Sequence, residues 1–509
     1  MSNGAAANGT YDRARMQVPG PERRTTRGQI VRRAAVGAAA GMVASGCRSQ
    51  RSATAARDRD GVVVVGAGVA GLTCAYRLLQ HGIHASVYEA SERVGGRTRT
   101  LRGFFADGQI VEQGGEAIDT DQHAVRRLVA ELGLRLDDTF ADTPGALSSN
   151  RFEFHRRRYT YARASRDFAA VYPALQRDLR AFARSPRAAR ELDEMSAADW
   201  IGSRVPGGNG SQLGRLIGEA YCSEDGVPIE AGSALAMITQ LGESAKRPLS
   251  LYGDSDERFK VHGGADQIAR RLARRLPAGA IAMGMPLVGL RRNADRSYTC
   301  AFAGGREVRA DRVVLALPFT TLREVDYRAA GFSSRKEAAI RELGMATNAK
   351  LTLQFSRKTW RLDGYDGYVE TDRIPGDTWD TTVNQRGREG ILVVYTGGRR
   401  GATYPVSHAH GPAPAGVARE TVAQLAAIYP RLERDFTGRA HLDAWVQDPW
   451  SRGSYAAFLV GQYTRFPQHV RAGREGGVHF AGEHTDTDQQ GYIDGAVRTG
   501  ERAARELAA

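Results

Sequence analysis

Cysteine is nearly absent from this chain, with four in 509 residues. Beyond Cys47 the three that remain, Cys74, Cys222 and Cys300, are well separated and form no C-x-x-C pair. That excludes a disulfide framework and a zinc site; Cys74 reads as a small core residue of a helix. Lysine is scarce too, five among 71 basic residues, so each one carries information. About half of the net charge of +14 lies before Gly61. The other arginines are scattered rather than interleaved with aromatics, which excludes a nucleic-acid surface. The apolar stretch from Ala34 to Ala44 falls well short of the ~20 residues a membrane-spanning helix needs. What remains, at 42% hydrophobic residues, is enough to bury two connected cores.

What is present concentrates between Val62 and Arg99. Val62 to Val65 is a β-branched apolar run, the pattern of a buried parallel strand. Gly66, Gly68 and Gly71 follow at G-x-G-x-x-G spacing, and Leu72, Ala75, Tyr76 and Leu79 then recur with helical periodicity. Strand, glycine turn and helix stand in the order of a dinucleotide site. Gly66 makes the tight turn, Gly68 lets the backbone approach a pyrophosphate, and Gly71 lets the helix pack against the strand. The phosphate charge then meets the positive end of the helix, where Ala70 lies in the first turn. A second strand, Ala85 to Tyr88, ends at Glu89, near the ~20-residue offset of the carboxylate that accepts ribose hydroxyls. Up to this point an NAD site, or a glycine turn with no ligand, stays open.

Glu89 begins the string E-A-S-E-R-V-G-G-R-T, with Arg93, Gly95, Gly96 and Arg97. It resembles the signature of FAD-dependent amine oxidases and their relatives: monoamine, polyamine and L-amino-acid oxidases, protoporphyrinogen oxidases and carotenoid desaturases. The resemblance implies an α/β fold, with a Rossmann-like FAD-binding domain, an interleaved α+β substrate-binding domain and a helical insertion. It covers nearly everything after Gly61, least closely between about 150 and 255. The implied division is 1–60 export signal and linker; 61–130, 259–318 and 441–509 FAD-binding; 131–258 substrate domain with the insertion; and 319–440 a sheet lobe.

Residue by residue, the resemblance lays the Gly-Gly-Arg turn on the FAD pyrophosphate with Arg97 as charge partner. The pair Gly114-Gly115, after a strand-like segment from Gly108 to Gln113, lies along the flavin ring. Glu116 and Asp119 then face the substrate cavity and favour a cation, although Thr120 or Asp121 also reads as a helix N-cap. An arginine to hold a substrate carboxylate, as in venom-type L-amino-acid oxidases, is replaced by Ala117 and Ile118. Segments such as Phe168 to Phe182 and Leu213 to Tyr221 form the insertion that roofs the cavity, with Asp199-Trp200 and Tyr221-Cys222 lining or supporting it. Backbone at Val288 meets the adenine. Lys350, a lysine on the apolar strand Ala349 to Phe355, must have a partner or a water; the resemblance has it hold a water next to flavin N5. Strands near Tyr365 to Glu370 and Ile391 to Thr396 complete the cavity floor, and Tyr404 to Gly416 is a surface loop.

Two blocks near the carboxyl end, Trp445 to Tyr455 and Val478 to Ala496, match the family's closing motifs. They place Glu483 against the ribityl-pyrophosphate, and Ile493 and Ala496 at the cofactor end of the last helix. Tyr455 and Tyr492 stand where two aromatics flank the amine in monoamine oxidases. Ser454 stands where covalently flavinylated relatives have cysteine, so the FAD is expected to be non-covalent. The implied activity is oxidative deamination of a small amine: hydride goes from the carbon next to nitrogen to the flavin, and oxygen is reduced to hydrogen peroxide. An L-amino-acid oxidase, or a carbon–carbon desaturase or oxidase of the protoporphyrinogen or phytoene type, is the alternative. No metal is expected. Arg32-Arg33 ahead of Ala34 to Ala44 resembles a twin-arginine export signal, which implies an extracellular or envelope location. Ala44-Ser45-Gly46-Cys47 is similar to a lipoprotein box, so a lipid anchor at Cys47 and simple cleavage both stay open. The oligomeric state is not legible.

Overall fold

A computed structural model describes residues 59–509 apart from 142–146, 148–150, 243–248 and 374–375. The twin-arginine pair and Cys47 lie outside the described residues. Arg59–Val65 is the centre of a sheet in the order Leu287–Arg292, Tyr298–Phe302, Glu307–Leu315, Arg59–Val65, Ala85–Tyr88, Ile281–Ala282. From Glu307–Leu315 onward the neighbours run parallel, while the first three strands form an antiparallel meander. Val478–Phe480 adds in parallel to the far half of Glu307–Leu315. The valine run is apolar throughout because both faces are covered. Val62 and Val64 enter the core beneath helices Val69–Gln80, Asp266–Arg275 and Ile493–Ala508, and Val63 and Val65 enter the core on the opposite face.

The second sheet has the order His410–Pro412, Phe436–Ala444, Ala349–Phe355, Gly390–Thr396, Gly376–Asp380, Val369–Thr371, Arg151–Phe154, Arg157–Tyr159. All its pairs are antiparallel except Val369–Thr371 with Arg151–Phe154. His410–Pro412 overturns the expectation that Tyr404 to Gly416 is a surface loop: the segment adds an edge strand, and helix Ala415–Ala426 starts inside it. An edge strand needs few backbone partners and tolerates Gly411 and Pro412, so its sequence reads as loop.

Among the described residues six α-helices fill the insertion: Tyr161–Ala169, Tyr172–Arg184, Pro186–Asp193, Ala197–Arg204, Gln212–Glu224 and Ala234–Leu241. The apolar period over Phe168 to Phe182 is two helices rather than one, broken at Ala170-Val171, with Pro173 in the first turn of the second. Thr160, Ser185, Ser196, Ser211 and Ser233 cap five of the six through their hydroxyls. Trp200 and Tyr221 belong to the core of this unit: the indole donates to Asp178 and the phenol to the Leu251 carbonyl. They support the roof without lining the cavity. At the helix His123–Glu131, neither Thr120 nor Asp121 is the cap. The Ncap residue is Gln122, and the Val125 N–H instead donates to Asp494 Oδ1 at 2.7 Å, a residue of the last helix.

Candidate active site

Between the two sheets lies a cavity of ≈2850 Å³. A drug-sized ligand occupies a pocket of ~300–1,000 Å³, so this space suits a dinucleotide together with a substrate. Of the residues singled out from sequence, Gly66, Gly68, Ala70, Glu89, Arg97, Gly114, Gly115, Glu116, Val288, Lys350, Tyr455, Glu483, Tyr492, Ile493 and Ala496 all line it. Gly71 does not; a Cβ there would overlap the Gly66 carbonyl oxygen, so its work is helix-to-strand packing.

The dinucleotide half is built from backbone. Gly95 N–H donates to the Ala67 carbonyl at 2.9 Å, which lays the second glycine turn against the first. A Cβ on Gly68 would meet no protein atom within 4 Å, so this face of the turn is open to the cavity. Helices Val69–Gln80 and Ile493–Ala508 both begin here, and neither has a side-chain cap on its leading N–H groups. Two uncapped helix starts favour an anion. Glu89 accepts from Ala67 N–H at 2.7 Å and from the Ser91 N–H and hydroxyl. It fixes the glycine turn and keeps lone-pair capacity for a further donor. Arg97 donates to Glu483 at 2.7 Å and to the Ser454 carbonyl at 2.8 Å, and Glu483 also accepts from the Ala456 and Gly491 N–H groups. One ion pair thus joins three separate stretches of chain. Val288 is 46% exposed, and its carbonyl accepts from Asp326 N–H.

The floor of the other half is one row of the second sheet. Strand register sets Glu370, Asp377, Tyr395, Lys350, Asp443 and His410 side by side on successive strands, and side chains directly opposite share a face. Lys350 donates to Glu116 Oε2 at 2.8 Å and to the carbonyls of Gly114 at 2.9 Å and Glu112 at 3.2 Å, which uses all three of its donors. Glu116 also accepts from Lys260 at 2.7 Å and Thr381 at 2.9 Å. The cations it takes are the chain's own. Burial alone would raise its carboxyl, yet the two ammonium charges and their hydrogen bonds hold it well below the usual carboxylate range. Asp119 is likewise spoken for: Ser255 and the N–H groups of Asp256 and Glu257 hold it as the anchor of a loop.

Tyr455 and Tyr492 converge on a residue that sequence reasoning missed. Tyr455 donates to the Glu224 carbonyl, Tyr492 reaches Glu224 Oε1 at 3.5 Å, and Tyr395 joins Tyr455 at 3.0 Å. Burial raises the Glu224 carboxyl and pushes both phenols well above their usual value, so the phenols stay neutral. The available signal was Glu224-Asp225 at the C-terminal end of an apolar helix, where the macrodipole disfavours negative charge. Lys260 was the other omission, and the shortage of lysine pointed to it.

A family model described as flavin containing amine oxidoreductase matches residues 69–508. The chain belongs to that family. A putative flavin-containing monoamine oxidase of Mycobacterium tuberculosis is 25% identical over 470 residues, covering 88% of this chain and 96% of the relative. The flavin-containing amine oxidase A of Bos taurus is 25% identical, covering 88% and 84%. An L-amino-acid oxidase of Gloydius blomhoffii is 23% identical, covering 88% of each. Solved structures of a putrescine oxidase (TM-score 0.73, 24% identity, 88% of this chain and 99% of that one) and of cyclohexylamine oxidase from Brevibacterium oxydans (TM-score 0.76, 22%, 88% and 98%) share the fold. Family membership brings a flavin, and the open glycine turn beside two uncapped helix starts fits its pyrophosphate.

Proposed function

We propose that the protein oxidises a small amine at the carbon next to nitrogen, with FAD held non-covalently. The observation that carries this reading is the convergence of Tyr455, Tyr492 and Glu224 in a cavity that also contains the Gly114-Gly115 turn and the Lys350 ammonium. FAD, when bound, supplies the two-electron acceptor. The chain binds and orients: the phenol rings offer apolar faces to a neutral amine and exclude water from it. Glu224, with a carboxyl raised by burial, is the group we assign to receive the proton that an arriving ammonium must lose. Lys350 fixes the Gly114 carbonyl in the turn that would lie along the ring, and a water beside the flavin would replace one of its carbonyl partners.

Ser454, whose hydroxyl donates to Asn348 at 2.7 Å, offers no thiol for a covalent link. Oxygen is the acceptor we assign, giving hydrogen peroxide. An α-carboxylate substrate is disfavoured because Lys260 and Lys350 are both committed to Glu116. Export by the twin-arginine segment, with or without lipid at Cys47, completes the proposal. The test is a panel of amines mixed anaerobically with flavin-loaded protein: bleaching of the yellow colour, and peroxide release once air is admitted, is the expected result. No bleaching with any amine would transfer the reading to carbon–carbon oxidation.

A further inference from the structure

Beyond the tyrosines, the same row of the sheet holds two carboxyls that the chemistry above does not use. Glu370 and Asp377 lie directly opposite on antiparallel strands, so both project from one face, an arrangement that costs stability when both are charged. Glu370 is fully buried and Asp377 is 9% exposed. Tyr252 and Tyr368 both donate to Glu370 Oε1, which leaves its buried Oε2 without a partner; Asp377 lines the cavity, and its buried Oδ1 has no partner either. Among the described residues neither carboxyl has an ion-pair partner, and the charges acting on them most strongly belong to other carboxylates, Glu224 included. A buried acid pair with two unpartnered oxygens calls for a donor that carries positive charge.

We propose that this pair is a second cation subsite, with Asp377 the direct ligand and Glu370 behind it, which takes the far ammonium of a substrate bearing two amino groups. The proposal rests on the amine-oxidation reading. It adds a length: Asp377 and Lys350 are separated by one intervening strand, that of Tyr395. Two strand spacings are about 10 Å, and the oxidised end lies beside Lys350, so a spacer of several methylenes is required. Burial raises both carboxyls, Asp377 further through its neighbour Glu370. In the absence of a dication the pair therefore retains a proton, which an arriving ammonium displaces.

Two measurements on the flavin-loaded protein test this. In steady state, the ratio of kcat/KM for hexamethylenediamine to that for hexylamine should be about tenfold or more, and should fall by a similar factor in Asp377→Asn, the loss expected of a charged hydrogen bond. An equal preference in the parent protein, or a ratio that Asp377→Asn does not move, overturns the proposal. The second measurement needs neither turnover nor a variant: anaerobic calorimetry on the dithionite-reduced protein, where neither compound can be oxidised. Tighter binding of hexamethylenediamine than of hexylamine supports the subsite, and equal affinity overturns it. If no amine is oxidised the amine-oxidase reading fails, while the calorimetric comparison still decides on the cation site.

Discussion

Glu116 is held between the ammonium groups of Lys260 and Lys350, so deleting either lysine leaves a buried carboxylate with one ion-pair partner in place of two. Lys350→Met should lower unfolding stability by about 1–3 kcal/mol, measured by denaturant titration, because Glu116 keeps Lys260 but loses one charged hydrogen bond and the carbonyls of Glu112 and Gly114 lose a donor. In the same variant, rapid-mixing kinetics should show oxygen-dependent reoxidation slowed more than reduction by substrate; equal effects would remove Lys350 from the oxidative half of the reaction. The pH signature of Glu116 follows from its depressed value. Its contribution is present above the ordinary carboxylate range and is lost only as pH falls through a much lower folded value, so this ion pair is constant across neutrality. Asp225 has the opposite sign. Burial and the neighbouring Glu224 push it up to about 7, so its charged form opposes folding as pH rises from its usual 3.8 through that value. Asp225→Asn should therefore raise the melting temperature at pH ~8 and leave it nearly unchanged at pH ~4, as differential scanning calorimetry at the two pH values will report.

At the scale of elements, the last helix does more than aim its first turn into the cavity. Asp494 caps the helix His123–Glu131 from outside it, and Gly500 lets the last helix approach Val69–Gln80 so closely that a Cβ would lie 2.9 Å from that of Thr73. Asp494→Ala should cost about 1–2 kcal/mol in equilibrium unfolding, the usual loss of an N-cap, and weaken flavin retention, read by fluorescence of released flavin. A surface cap would give the first effect without the second. The expectation that Thr120 or Asp121 did this job failed because capping was read as local, whereas the acceptor comes from 369 residues further along the chain. The helices of the insertion behave differently. Five carry their own Ser or Thr cap, so their starts were open to reading from sequence. The edge strand His410–Pro412 was not, since it is defined by its partner Phe436–Ala444 and not by its own residues. Docked there, His410 sets its two ring nitrogens against the carboxylates of Asp443 and Asp448, and Asp443 in turn accepts from Gln113, the residue before the glycine pair.

For the whole molecule, stretches of chain spread from Val65 to Arg498 close around the cavity, and a ligand that binds only this closed state must stabilise it. Flavin-depleted protein should melt below the loaded form, and free FAD at about 100 times its dissociation constant should restore about 2.7 kcal/mol; coincident melting curves would show that the cofactor is not part of the folded core. Sequence alone determined the nucleotide half. Its glycine turns, valine strand and helix starts are local backbone features, and local spacing specifies them. Sequence also marked Lys350, Tyr455 and Tyr492, each by its place in a short motif. What they touch was decided only in three dimensions. The row Glu370, Asp377, Tyr395, Lys350, Asp443, His410 draws one residue from each of six strands, and register, set by side-chain burial across the entire sheet, is what makes them neighbours. The place of Lys350 beside Tyr395 and the meeting of the two unpartnered acids are consequences of that register, whereas Glu116, Lys260, Glu224 and the two phenols are brought to them by other elements of the chain, because charge and hydrogen-bond partners are assigned by distance in space and not by order along the chain.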